Sequence, residues 1–216
     1  AVLAATTASF LVADQSTLDS ALQNVVEDTT PQLGGDLDVN GNAITGQTSV
    51  DLTPGVAPSY VEGRVFYDSA TDSLTVFDDQ SETSLQVGQE VRVRVSNPTG
   101  STILNGAAVS VTGVTAGGVV EVGLADASDK TSALNTIGIA THDIEAGTEG
   151  WATTSGMVNG VNTSALTEGA ALYLSDSVPG GYQETRPLSP SFEVRMGGVA
   201  VSSATVGKLY AELRII

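Results

Sequence analysis

The 216-residue sequence contains no cysteine, and this absence excludes disulfide bonds, thiolate metal sites and a cysteine nucleophile. It contains one histidine, His142, so any histidine base or ligand must be this residue. Aromatic residues are scarce at 5%, and the core must therefore consist mainly of Val, Leu, Ile and Ala. Because hydrophobic residues reach 41% and 24 glycines supply bends, the composition indicates a folded chain rich in β structure.

Basic residues are also few. The chain has 8 Lys and Arg but 25 Asp and Glu, which gives a formal net charge of -17. A phosphate backbone would be repelled by most of such a surface, and we therefore expect no nucleic-acid binding. The charge is uneven. Residues 1–84 hold thirteen acids and a single base, Arg64, whereas residues 85–216 hold twelve acids and seven bases. A solvated surface explains this acidity, and binding of divalent cations or of a cationic surface is the alternative.

The opening stretch AVLAATTASFLVAD, residues 1–14, is largely apolar but shorter than the roughly 20 residues that cross a membrane. The stretch also lacks the basic region of a signal peptide, so we expect neither targeting nor membrane insertion. An exposed apolar segment is poorly solvated, and we interpret it as an arm that docks on a particle or a neighbouring subunit. The side chains expected to dock are Leu3, Phe10, Leu11 and Val12. The competing interpretation is that the arm completes the protein's own core.

A short helix is predicted after this arm, because Leu18, Leu22 and Val25 recur at helical spacing. Ser16 is a suitable N-cap and Pro31 lies beyond the end. An isolated helix of about ten residues is marginal in water. Its apolar stripe must therefore pack either on other copies of the chain or on its own strands.

The stretch DLDVNGNAITGQ, residues 36–47, begins like a calcium-binding loop, with Asp36 and Asp38 at ligand spacing. The twelfth position, where such a loop requires a bidentate glutamate, is Gln47. The following residues include Pro54 and show no helical stripe. We therefore predict no metal site and no cofactor, although Asp36 and Asp38 leave adventitious cation binding open.

The same stretch is better explained as a β-hairpin around Asn40 and Gly41, the preferred pair for a type I′ turn. A two-residue loop would place Leu37 opposite Ile44 and give the hairpin one apolar face. The stretch of residues 36–47 is thus predicted to form a turn between two strands.

Beyond residue 60 the apolar period is two, which is typical of β-strands. The segments 64–67 and 74–77 flank a polar turn and predict a hairpin, and Val91, Val93 and Val95 alternate with two arginines as in a half-buried strand. Further strands are predicted at 107–112, 119–124, 137–141, 170–174, 192–201 and 209–215. The chain is accordingly divided into an N-terminal arm with the helix (1–30), a β-hairpin stalk (31–84) and a C-terminal β-sandwich or barrel-like domain (85–216).

The sequence shows no pattern typical of catalysis. No nucleophile elbow, P-loop or dinucleotide-binding glycine pattern is present. We interpret His142, at the end of a predicted strand, as structural or solvent-exposed, and Trp151 as a core anchor in preference to a sugar-stacking platform. No pair of carboxylates can be singled out as a glycosidase acid and base. We expect no catalytic residues.

Two stretches of the sequence resemble structural proteins of tailed-bacteriophage virions, above all tail-fibre and fibre-like proteins. The first is VVEDTTPQLGGDLDVNGNAITG, residues 25–46, followed by a hairpin sequence, GRVFYDSATDSLTVFDD. The second is the C-terminal part, which is similar to a β-rich module of such proteins through VSNPTGSTILNGAAVSVTG, GMVNGVNTSALTEGAALYLSDSVPGG and GGVAVSSATVGKLYAEL. Together they span most of residues 25–216.

The resemblance implies a non-enzymatic virion component, commonly a homotrimer, that is anchored through its N-terminal part and presents an outward β domain. Its expected partners are copies of itself, other proteins of the tail or capsid, and a host cell-surface glycan or protein for attachment. Small hairpins cannot bury their apolar faces alone, and winding three copies together would bury Leu37, Ile44, Val65 and Phe77 between subunits.

Two other functions stay open. The chain is short for a complete receptor-binding fibre, which favours a head fibre or a capsid decoration protein that stabilises the capsid surface. A carbohydrate-active enzyme on a β scaffold is the third hypothesis, since many phage fibres meet polysaccharide.

Overall fold

The computed structural model describes residues 40–215. The predicted docking arm, the helix with its stripe of Leu18, Leu22 and Val25, and the residues Asp36, Leu37 and Asp38 lie outside this range. The chain divides into two compact units, Ala1–Val50 and Asp51–Ile216. The division therefore falls between residues 50 and 51, whereas the sequence analysis placed the end of a stalk at residue 84.

The described end of the first unit consists of a turn and an irregular segment. Asn40 and Gly41 have φ angles of 49° and 75°, the left-handed values that a type I′ turn requires. Residues 42–54 contain no strand, and Ile44 is 57% exposed. The strand predicted to follow the turn is thus absent from this range. No buried face holds a strand register here, because every side chain in residues 42–54 is exposed.

A small antiparallel sheet opens the second unit. It consists of β1 (Val65–Asp68), β2 (Ser73–Val76) and β3 (Leu85–Gln86), in that order. Val65 pairs with Val76 and Asp68 with Ser73, which confirms the hairpin predicted from the sequence. Within the turn, the Asp68 carboxylate accepts a hydrogen bond from the Ala70 backbone N–H at 2.9 Å, a typical Asx turn.

Five strands close into a barrel, in the order β8-β4-β6-β5-β7 with β7 pairing back to β8. Closure removes the free edges that an open sheet would leave. A single turn of helix, α1, stands between β6 and β7 and is capped by the Asp129 side chain. The bounds are β4 (Glu90–Ser96), β5 (Ala108–Val114), β6 (Val120–Leu124), α1 (Lys130–Leu134), β7 (Thr136–Ala140) and β8 (Glu149–Val161).

Strand β8 is long enough to join the barrel to the other strands of the same nine-stranded sheet. Its first half pairs with β4 and β7 in the barrel, and its second half pairs with β12. From β12 the sheet continues outward through β11 and β9 to β10. These strands are β9 (Ala171–Leu174), β10 (Tyr182–Gln183), β11 (Val194–Val201) and β12 (Gly207–Ile215).

Two hydrophobic clusters form in the described residues, and neighbouring residues of one strand often belong to different clusters. Val109 and Ala140 pack in the first, together with Val95 and Ile144. The preceding residues, Ala108 and Ile139, pack in the second with the side chains of β9, β11 and β12. Successive side chains point to opposite faces of a strand, so β5 and β7 are covered on both sides.

The structure confirms that the protein is mainly β with a barrel, and every strand predicted beyond residue 60 is present within a few residues of its expected bounds. Sequence reasoning missed β3, β8, β10 and α1. No helix within residues 40–215 is long and apolar enough to cross a membrane.

Candidate functional site

A β-bulge in β8 lies opposite the start of β4. The pairing of β4 with β8 shifts between Val91 and Arg92, next to Gly156 on β8. Gly156 has a φ of +106°, and a Cβ there would lie 2.1 Å from the Gln89 carbonyl oxygen. Only glycine therefore fits. Successive side chains of β4 point to opposite faces, so Val91 is 61% exposed while the side chain of Arg92 is only 6% exposed.

Arg92 forms a buried ion cluster that joins the barrel to the small sheet. Its guanidinium donates to Asp78 Oδ2 and Glu90 Oε1, each at 2.9 Å, and also to the Ser84 carbonyl. The Glu90 carboxylate accepts the Gln86 backbone N–H at 2.8 Å. Two carboxylates thus share one guanidinium in a site with little water.

Burial dominates the electrostatics of this cluster. It raises the pKa of Asp78 and that of Glu90, although Arg92 acts in the opposite direction on both. A second acceptor, Glu90 Oε2, is buried without a hydrogen-bond partner in the described part of the chain. The cluster depends on Arg92, because burial disfavours the charged form of each carboxyl group and Arg92 opposes that effect.

Trp151 lies beside this cluster on the surface of the barrel. Its indole Nε1 donates to Asp79 Oδ1 at 2.8 Å, and this bond lowers the pKa of Asp79. Its cross-strand neighbour Arg94 is half exposed and pairs with Glu149 at 2.7 Å. Trp151 is only half-buried and belongs to neither of the two core clusters found in residues 40–215. The interpretation of Trp151 as a core anchor is therefore wrong, because the small aliphatic side chains already fill both cores.

His142 is buried and both ring nitrogens are engaged. Nε2 accepts the Trp151 backbone N–H at 3.1 Å, so the proton resides on Nδ1, which donates to the Asp143 carbonyl at 2.8 Å. The ring also packs closely on Gly150, where a Cβ would lie 2.8 Å from the imidazole. This arrangement confirms the structural interpretation of the histidine.

A cavity of about 480 Å³ lies between the small sheet and the barrel. Phe77, the loop of residues 81–84 and Gln86 form one side, and Asn105, Thr141 and Asn159 contribute to the other. The two sides meet where Asn159 Nδ2 donates to Gln86 Oε1 at 3.4 Å. Most of the lining side chains carry a neutral hydroxyl or amide group.

Two buried polar atoms of residues lining this cavity lack a partner within the described part of the chain, namely Asn105 Oδ1 and Arg92 Nε. Asn105 Nδ2 donates to the carbonyls of Asn159 and Gly160, both at 3.2 Å, which fixes the orientation of the amide. Both atoms are themselves inaccessible to solvent, and the cavity is a candidate ligand site because of its volume and its polar lining.

No protein-family model and no curated protein sequence matches this chain. The cavity residues come from segments up to about ninety positions apart, and no local sequence signal could have grouped them. Within residues 40–215, no group of three or more His, Asp and Glu side chains could hold a metal ion.

The predicted stalk residues within the described range differ in their exposure and in their packing contacts. Val65 is 50% exposed. Phe77 packs on Phe66 and Tyr60 of its own chain, with ring centroids 4.9 and 5.4 Å apart. Other large apolar side chains of this segment are exposed, namely Val50, Leu52, Val56 and Val61.

Proposed function

We propose that the chain is a non-enzymatic structural protein of a tailed-bacteriophage virion, of the fibre or fibre-adaptor type. Its N-terminal part attaches to the particle and the unit of residues 51–216 is presented outward for host attachment. The resemblance of residues 25–46 and of the C-terminal part to fibre-like proteins supports this proposal. The engagement of both ring nitrogens of His142 fits a structural role for the site beside Trp151.

The observation that carries the proposal is the run of exposed apolar side chains that ends at the first residue of β1. Between residues 44 and 65, seven large apolar side chains are each at least 37% exposed, and Val56 reaches 89%. A single chain gains nothing from this pattern, because exposed apolar surface is unfavourable in water. Association of three copies through this segment would bury it, and that is the homotrimer expected for a fibre.

Replacing Val56 and Val61 with aspartate tests the homotrimer. Full burial of a valine stabilises by about 1.5–3 kcal/mol, so two charges per chain in the interface should dissociate the trimer. Light scattering after size-exclusion chromatography should give three times 21.9 kDa for the wild type and a monomer for the variant. The matched control is Val206→Asp, which changes a side chain that is 65% exposed and lies outside the segment. A wild-type chain that is monomeric at all concentrations would refute this assembly.

A capsid decoration or head-fibre protein is the second candidate function. A groove on the unit of residues 51–216 is bordered by Leu104, Leu124 and Val178, which are 61%, 43% and 60% exposed. This groove gives the unit an apolar surface of its own, as a protein that clamps capsid subunits requires. Electron microscopy of particles carrying the labelled protein decides between the two. Density at the tail supports a fibre, whereas density repeated over the capsid lattice supports decoration.

A further inference from the structure

We propose that the cavity between the β1–β3 sheet and the barrel binds a neutral saccharide. This inference names the ligand class and the site for the proposed host attachment and rests on that function. Its failure can be distinguished from failure of the assembly, because the purified chain would bind the saccharide whether or not it assembles into particles. It concerns residues of one compact unit, 51–216.

The cavity has the size and the rigid walls of a small-molecule site. Its volume of about 480 Å³ falls within the roughly 300–1,000 Å³ of typical ligand pockets. Asn159 stands on β8, in the most extensively paired strand of the barrel, and Gln86 on β3. The Arg92 cluster fixes the small sheet against the barrel beside the cavity. The two walls are therefore held in place before any ligand enters.

The hydrogen-bonding groups of the lining match a polyhydroxylated molecule. Hydroxyl and amide side chains such as Thr83, Gln86, Asn105 and Asn159 offer both donors and acceptors. A sugar hydroxyl also donates and accepts. A hydroxyl-bearing ligand can pair with both the donors and the acceptors of this lining, which an apolar ligand cannot.

The charges around the cavity select a neutral ligand over an anion. The guanidinium of Arg92 is already shared by Asp78 and Glu90, and the other charged lining residue, Glu82, is acidic. The chain carries a net charge of -17, which repels anions at longer range. Phe77 adds one aromatic side chain to the lining, and aromatic rings pack well on the C–H face of a sugar.

The test is saturation-transfer NMR of the purified full-length chain with glucose, galactose, mannose, rhamnose, N-acetylglucosamine and their β- and α-linked disaccharides. Two variants alter the cavity by different routes. Asn159→Leu removes an amide at nearly constant size, and Thr83→Trp fills the cavity from its loop. Ser155→Leu is the matched control, since Ser155 is exposed on the same strand as Asn159 and does not line the cavity. Thermal unfolding of each variant verifies that it is folded.

We expect at least one neutral saccharide of the panel to bind, with an affinity at least about tenfold weaker in both cavity variants. The control variant should bind as the wild type does. The proposal is overturned if no saccharide of the panel binds, or if a folded Asn159→Leu or Thr83→Trp protein binds it with the wild-type affinity. Equal binding of glucuronate and glucose would overturn the preference for a neutral ligand. A monomeric wild type that binds sugar would refute the trimer and leave this site intact.

Discussion

Arg92→Met is the most informative single perturbation of this structure. Methionine keeps much of the volume of the side chain but removes the cation that Asp78 and Glu90 share. The side chain of Glu90 is fully buried and that of Asp78 is only 14% exposed, so water replaces the guanidinium poorly. Breaking a buried ion pair from one side costs about 3–5 kcal/mol, and we expect a loss of that size at pH 7.

The expected loss corresponds to a fall in Tm of about 6–20 °C for a unit of this size. Differential scanning calorimetry and urea unfolding followed by Trp151 fluorescence both measure it. Arg94→Met is the control on the same strand. Arg94 is 52% exposed and its pair with Glu149 lies at the surface, where such pairs contribute about 0.2–1 kcal/mol.

The pH dependence separates this electrostatic explanation from a simple packing defect. Burial raises the folded-state pKa of Asp78 and of Glu90, and the loss of Arg92 should raise both further. A carboxyl whose folded pKa is raised contributes most stability below its unfolded pKa and loses that contribution as the pH rises through the folded pKa. The deficit of Arg92→Met should therefore shrink as the pH falls from 7 to about 4, by about 1.4 kcal/mol per unit of added pKa shift.

A deficit below about 1 kcal/mol at pH 7 would refute the reasoning, because it would mean that the two carboxylates are solvated. A large deficit that stays constant between pH 7 and 4 would also refute it and would indicate lost packing. Adding Glu90→Gln to the variant should recover part of the stability, since one of the two unpaired charges is removed.

Two further outcomes follow from the fold and from the sequence. Gly156→Ala should destabilise the protein by at least about 2 kcal/mol in thermal unfolding. The alanine Cβ would overlap the Gln89 carbonyl oxygen, and the φ angle of this position disfavours alanine. An unchanged Tm would show that the bulge is misplaced. Deleting residues 1–13 should abolish incorporation into particles while the unit of residues 51–216 unfolds at its normal temperature. A large fall in that temperature with normal incorporation would instead favour an arm that completes the protein's own core.

The sequence by itself determined the fold class and most of the strands. Strand β4 was predictable because its valines alternate with arginines, and the β1–β2 hairpin because two β-rich segments flank a short polar turn. Strand β8 was missed although it is the longest. It contains Gly150, Gly156 and Gly160, and its bulges interrupt the period of two from which strands are predicted.

Only the tertiary structure decided which polar residues meet. The alternation of residues in β4 predicts that Arg92 faces outward, but the small sheet covers its side chain. Asp78, fourteen positions earlier in the sequence, accepts a hydrogen bond from it. Gln86, Asn105 and Asn159 carry no common motif and line one cavity only because β8 closes the barrel next to β3. Local alternation of residues encodes strands, since a strand's two faces repeat every second residue. The packing of one sheet on another depends on contacts between distant segments, which no local pattern specifies.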